Sequence, residues 1–288
     1  MKLIFNPSDD IQSRLDQIPL DEKLDIILNP GIYQQRLTLR HPNMHITGID
    51  AVITAHEHAL SFHPDGLLNN TFRTQTVLVL GDHITLENLT ILNESGKGQK
   101  VGQAIALSTY GDDTLIQSCT LVSTQDTLFF GPLPSDLSSR YSNILSEAER
   151  HQKPLKHYVF DSTIIGDVDF VFGSSDAFID QCTIISNGSG YIAAPSTHPK
   201  SSFGLVFNQC TFKQTGAFNV VLARPWRSGG KALFKDSTFL EPMSLTRFND
   251  WDKPIFHFYE QPYVSCIHSK PLPETMATSI MTIIASKR

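Results

Sequence analysis

Four cysteines and two tryptophans in 288 residues are few, and the chain also lacks a long apolar run and an excess of basic residues. Each scarcity removes a class of protein. Four cysteines at this length are too sparse for a disulfide scaffold, so reduced, structural thiols are expected. With 23 basic against 29 acidic residues the net charge is −6, and no Lys/Arg cluster forms a phosphate-tracking surface, which argues against nucleic acid as a partner. No segment is long and apolar enough to span a bilayer, so no membrane partner is expected. The start, Met1 to Asp10, has one basic residue and three consecutive apolar ones, too short for a secretory h-region. That predicts a cytoplasmic protein, or a secreted one had a leader been removed. No Gly-x-Ser-x-Gly elbow occurs anywhere, which disfavours a serine esterase. The His56-Glu-His58 pair lacks further ligands at useful spacing, and neither a metal nor an organic cofactor is expected.

What the chain does have is one short pattern six times over: an apolar residue, two residues, a small or apolar residue, Thr, and another apolar residue. The copies begin at Leu86, Ile116, Val159, Ile179, Phe207 and Phe234, with Thr at 90, 120, 163, 183, 211 and 238. Successive Thr residues lie 30, 43, 20, 28 and 27 positions apart, the period of a solenoid whose coils bury their faces by stacking. Each copy is β-branched and alternating, hence a strand. Strands, polar turns and no helical periodicity predict an all-β parallel β-helix with equivalent positions about 4.8 Å apart in neighbouring coils. A solenoid needs no second core, so residues 1–288 read as one domain. The 43-residue gap is one coil plus an excursion at about 131–157, rich in Pro, Ser and charge, with a helix-like stretch over Asp136–Arg150. The tail at about 267–288 either completes the solenoid or caps it with a helix. Cys119, Cys182 and Cys210 share one repeat slot and should point into the coil.

Register also predicts contacts. Asp126 lies seven residues after Cys119, and Asp169 seven after Ser162, so the two carboxylates occupy one phase of adjacent coils. Two acids that close split their proton affinities, one staying protonated while the other remains an anion. Asp167 alternates onto the same face as Asp169 and is an open alternative as the partner. So is the plainer reading in which these aspartates cap coil corners.

Gln103-Ala-Ile-Ala, Gln125-Asp-Thr-Leu, Gly166-Asp-Val-Asp-Phe-Val-Phe-Gly and Leu222-Ala-Arg-Pro-Trp226, in this order, resemble the signature blocks of the pectin methylesterases, family-8 carbohydrate esterases. The likeness extends to Ile27-Leu-Asn-Pro-Gly-Ile-Tyr33 and Asn249-Asp-Trp251, covers roughly residues 20 to 265, and looks closer to bacterial members. It implies a right-handed, single-stranded parallel β-helix that hydrolyses methyl esters of galacturonate units in pectin or oligogalacturonides, releasing methanol and acting as a monomer. Matched by position, Asp169 would be the nucleophile and Asp126 the general acid and later base. Gln103 and Gln125 would donate to the oxyanion, and Arg224 would hold Asp169 ionised. Trp226, Phe172, Phe129 and Val168 would line the substrate. The alternative for Phe129 and Phe172 is that they are interior stacking residues.

The chain departs from the family pattern at Ala223, where Gly is usual, at Ser123-Thr124, where Gly-Tyr is usual, and at Phe129, where Tyr is commoner. These changes touch substrate lining and backbone approach, not the five polar residues. A polysaccharide lyase, a glycosidase and a non-catalytic carbohydrate-binding solenoid are the rival readings. Lyases of this architecture resemble calcium enzymes and would be chelator-sensitive. Net negative charge further predicts that methylated stretches bind better than de-esterified ones.

Overall fold

The computed structural model describes residues 1–241, 244 and 246–288. Its strands pair only in parallel within the two main sheets, and the six threonines form one column: Thr90 pairs with Thr120, Thr120 with Thr163, Thr163 with Thr183, Thr183 with Thr211 and Thr211 with Thr238. The repeat is therefore the coil of a parallel β-helix. A complete coil runs Lys156–Phe160, Thr163–Gly166 and Val171–Gly173, then begins again at Asp176–Asp180. The third strand of each coil joins a separate seven-stranded sheet, which carries the site.

Stacking like on like fills the interior. The Phe207 and Phe234 rings are in register, 4.9 Å apart and 5° from parallel, as are Phe212 and Phe239 at 4.9 Å and 18°. Fully buried Ile116, Leu121, Val159, Ile164 and Ile179 extend the same columns, each contributing about 1.5–3 kcal/mol of apolar burial. Cys119, Cys182 and Cys210 are buried, unbonded and inward, as their shared slot predicts, and Cys266 is half-buried and also free.

Each copy turns a corner at one residue in the left-handed region. These are Asn88, Ser118, Asp161, Gln181, Gln209 and Asp236, with φ between 48° and 54°. A non-glycine residue there is strained, least so for Asn and Asp. The stack imposes the bend six times, because without it the two flanking strands could not lie on different faces.

Thr120 pairs with Thr163 across the excursion, so the 43-residue interval is one coil with an insertion. Within it the helix covers Ser135–Arg140 only, and a separate 3-10 turn spans Glu147–Glu149. The longer helix expected over Asp136–Arg150 is corrected. Ser142 and Asn143 favour local turns over helix, and Ser146 opens a new capping box with Glu149.

The tail does both things considered for it, but in a different place. Ser269–Pro271 adds a strand beside Phe256–Gln261. The helix Glu274–Ala285 then lies along the flank of the solenoid, not across its end, and buries Ala277, Ile280 and Ile284 against Tyr158, Phe178, Val206 and Leu233. Lys287 pairs with Asp113, and Arg288 reaches Asp180 at 2.7 Å, fixing it there.

One glycine is obligatory beside the site. Gly173 has φ +139°, and a β-carbon on it would sit 2.0 Å from the Phe130 carbonyl oxygen. Gly173→Ala is expected to cost about 3 kcal/mol or more, from strain plus displaced backbone. Thermal unfolding of the variant measures it; a midpoint equal to that of the parent would contradict this packing.

Candidate active site

The acids stand side by side because register puts them there. Leu128 pairs with Val171, and Asp126 and Asp169 each lie two residues earlier. Both adopt left-handed backbone, with φ of 67° and 50°, so strict strand alternation stops and both side chains reach the outer surface. The Asp126 N–H donates to the Val168 carbonyl at 3.0 Å and the Asp169 N–H to that of Tyr191 at 2.7 Å, which holds the corners rigid. Asp126 and Asp169 line one cleft of about 430 Å³ together with Gln103, Gln125, Arg224 and Trp226. Five residues named from sequence as the polar machinery are thus brought together.

Asp167 is not the partner. Its carboxylate turns toward Lys97, 3.8 Å away, and toward Gly188, where any β-carbon would come within 2.9 Å of its own. It is absent from the cleft lining.

Arg224 grips Asp169 with two parallel hydrogen bonds, Nε to Oδ1 at 2.8 Å and Nη2 to Oδ2 at 2.5 Å. Ala193 pairs with both Val171 and Ala223, so Arg224 comes from two coils further on and reaches back over the strand holding Ala194. Ala194 is 1% exposed and lines the cleft; a larger side chain there would occupy the arm's path. The guanidinium is clamped between the Tyr191 ring at 3.9 Å and the Trp251 ring at 3.7 Å. Such stacking fits planar Arg and not Lys.

Proton affinity splits as two close carboxylates require. Burial, then the neighbouring Asp169 anion, pushes Asp126 well above the usual carboxylate range, while Arg224 and a Gln125 hydrogen bond oppose the rise. Burial also raises Asp169, and the Arg224 hydrogen bonds and charge offset only part of that rise. Asp126 therefore keeps the proton and Asp169 the charge. This has a stability consequence. Below the ordinary value of 3.8 folded and unfolded chains both hold the proton on Asp126, and burial costs little. Above it the unfolded chain releases that proton and the folded chain does not, so folding loses stability until pH passes the raised folded value. Asp126→Asn removes the titration. It is expected to raise the unfolding midpoint at pH 7, by roughly 2–4 °C for each kcal/mol released, with the gain shrinking toward pH 4. Thermal scans at both pH values check it; a gain independent of pH would refute the assignment.

The aromatic expectations divide. Phe172 and Trp226 line the cleft, their rings edge-to-face with centroids 5.6 Å apart. Phe129 is corrected: it is fully buried, 4.9 Å from Phe172 and 5.6 Å from Phe72, beneath the platform and not on it. The excursion covers it, with Leu137 and Leu145 closing over the same cluster. Val168 is half-exposed and adjoins Gly190, outside the cleft lining. Sequence reasoning missed Tyr191 and Trp251 as stacking partners of Arg224, and Phe72, Tyr141, Arg140 and Arg227 as lining residues. Tyr191 was reachable, since register sets it beside Asp169. Trp251 stood in a quoted block without a role. Nothing in the sequence pointed to Phe72. A wider groove of about 830 Å³, on a flank beside Asp25, His45 and Glu87, is lined by none of these residues.

Fold and cleft together define the class, a parallel β-helix bearing an arginine-clamped carboxylate pair on its exposed sheet. The model of the pectinesterase family matches residues 9–132. Among relatives of the chain, Pectinesterase 31 of Arabidopsis thaliana is 29% identical over 238 residues, covering 77% of this chain and 67% of that protein. Pectinesterase QRT1 of Arabidopsis thaliana is 26% identical over 85% of this chain, which spans only 62% of the relative's length. The pectin methylesterase from Yersinia enterocolitica shares the fold with a TM-score of 0.75 at 23% identity, over 96% of this chain and 97% of that one. The pectin methylesterase PemA from Erwinia chrysanthemi does so with a TM-score of 0.73 at 22% identity, over 96% and 94%.

Proposed function

We propose that the protein hydrolyses methyl esters of galacturonate units in pectin or oligogalacturonides, releasing methanol. The observation that carries this reading is the pairing of a proton-holding Asp126 with an arginine-held Asp169 anion in one cleft. The names of the relatives and of the solved structures, one of them a pectin methylesterase in complex with a hexasaccharide, support it.

Asp169 attacks the ester carbonyl carbon, and the carbonyl oxygen becomes a tetrahedral oxyanion. Gln103 and Gln125 donate amide hydrogens to that oxygen, each donor being worth roughly 3 kcal/mol in the transition state. Collapse breaks the bond to methoxide, which takes the Asp126 proton and leaves as methanol, a transfer contributing on the order of a hundredfold or more. Asp126, now an anion, removes a proton from water, and the resulting hydroxide opens the Asp169 anhydride. The unit leaves as uronic acid, which gives its proton to solvent to become uronate, while Asp169 is again an anion and Asp126 again holds a proton. Arg224 keeps Asp169 ionised and aimed throughout.

Methanol release from methylated trigalacturonate and from polymeric pectin tests the assignment. Turnover with methanol as product is expected; unsaturated products or new reducing ends without methanol would reverse it in favour of a lyase or glycosidase. Cellular location belongs to the same proposal. Four cysteines in 288 residues suit a reducing compartment, and a cytoplasmic location is the reading proposed. Fractionation of the host tests that.

A further inference from the structure

Gln103 reaches the cleft from a segment with little structure of its own. Glu94 to Ala106 joins the strands Thr85–Asn93 and Leu107–Thr109 without helix or strand. Gly96, Gly98 and Gly102 hold φ of 74°, 133° and 71°, and a β-carbon on either of the first two would meet nothing within 4 Å. Glycines in open space leave the backbone many conformations, whereas an oxyanion donor must be held to within about 0.5 Å. The Gln103 side chain makes no hydrogen bond among the described residues that could hold it there. Three ties to later coils hold the segment instead. Ser123 donates to the Ala104 carbonyl, and Thr124 donates to that of Gly96 at 2.6 Å. These two hydroxyls stand where the family pattern has Gly-Tyr. The third tie is Lys97, whose Nζ donates to the Asn187 carbonyl at 3.3 Å and lies 3.8 Å from Asp167 Oδ2.

Leu128 pairs with both Leu107 and Val171, and Val171 pairs with Ala193. Asp167 and Asn187 therefore belong to the second and third coils beyond that of Lys97, and the segment arches over the coil of Thr124 to reach them. Asp167 is 8% exposed, its carboxylate accepts no hydrogen bond, and Lys97 is its one charge partner among the described residues. Room is kept for it, since a β-carbon on Gly190 would come within 2.2 Å of the Asp167 carbonyl oxygen. A buried carboxylate with a single cation near it adds little to stability, so a local task accounts for it better. We propose that Lys97 and Asp167 are positioning residues: with the Asn187 carbonyl they strap the glycine-bearing segment across the corner column, and so hold Gln103 where the oxyanion forms. The inference rests on the function proposed above and deepens it. Lys97 is exposed, so its pairing barely alters global unfolding and acts on the placement of one donor.

Lys97→Met and Asp167→Asn are each expected to lower kcat for methanol release about tenfold, with KM changed less than about twofold, because the oxyanion exists only in the transition state. Lys97→Arg should keep most of the rate. Lys100→Met, in the same segment but with no partner among the described residues, should keep all of it. The deciding measurement repeats Lys97→Met in a Gln103→Ala background, where the donor is already gone. There the tenfold cost should shrink to less than about twofold. An equal cost in both backgrounds, or no cost in the wild-type background, overturns the strap. Absence of methanol release by the wild type would instead overturn the function. The strap is then read from hydrogen exchange of the Val101 and Gly102 amides, both of which donate to the Gly98 carbonyl. Exchange at least about fivefold faster in Lys97→Met than in wild type is expected, and unchanged exchange would overturn the strap.

Discussion

Asp169→Asn is expected to lower methanol release by at least about a thousandfold, roughly 4 kcal/mol of transition-state stabilisation. The amide is nearly isosteric, so the corner, the stacked strands and the cleft should persist, and what disappears is the attacking anion. The loss should fall on kcat, since the substrate is held by the aromatic platform and cleft walls. The substitution also leaves Arg224 facing a neutral group and removes the anion that helps hold the proton on Asp126, so Asp126 should titrate lower. Rates in single-turnover mixing, with a circular dichroism spectrum matching wild type, check this. Turnover at the wild-type rate would show that another group attacks.

Arg224→Gln should cost about a hundredfold at pH 7 by a different route. Without the guanidinium, burial alone acts on Asp169, and its pKa climbs further above the ordinary carboxylate value. The ionised fraction at neutral pH drops, so activity should recover partly as pH rises and then fall again as Asp126 loses its proton. The acidic limb of the pH–rate profile therefore moves to higher pH, and the alkaline limb moves up as well, because Arg224 also holds the Asp126 pKa down. A merely structural arginine would depress the rate at all pH values alike. Arg224→Lys should resemble Arg224→Gln more than wild type, because an ammonium neither bridges both oxygens nor fills the 3.7–3.9 Å slots against Trp251 and Tyr191.

Much of this site was legible because a β-helix converts sequence phase into spatial neighbourhood. Seven residues after the small residue of two successive copies gave Asp126 and Asp169, and the coordinates bring both into one cleft. The threonine column, the inward cysteines and the excursion followed from the same counting. Legibility ended where neighbourhood depends on what covers the outside of the coil. Phe129 points outward as alternation requires, yet the excursion buries it. No periodicity in the strands reports an insertion folding back over them. The six left-handed corner residues could have been found from the polar residue two before each Thr, of which three are Asn or Asp. The flank position of the helix Glu274–Ala285 depended on the apolar outward faces of Tyr158, Phe178, Val206 and Leu233, which belong to four different coils.

Arg224 reaching back two coils has an implication for how such molecules lengthen. Gln103, Asp126, Asp169, Tyr191 and Arg224 belong to five consecutive coils, each in or within a few residues of a strand of the seven-stranded sheet. A solenoid ordinarily tolerates gain or loss of a whole rung, because each rung touches only the next. Between Asp169 and Arg224 an added rung would part the guanidinium from its carboxylate by about 4.8 Å, whereas rungs added before or after that stretch would leave the pair in place.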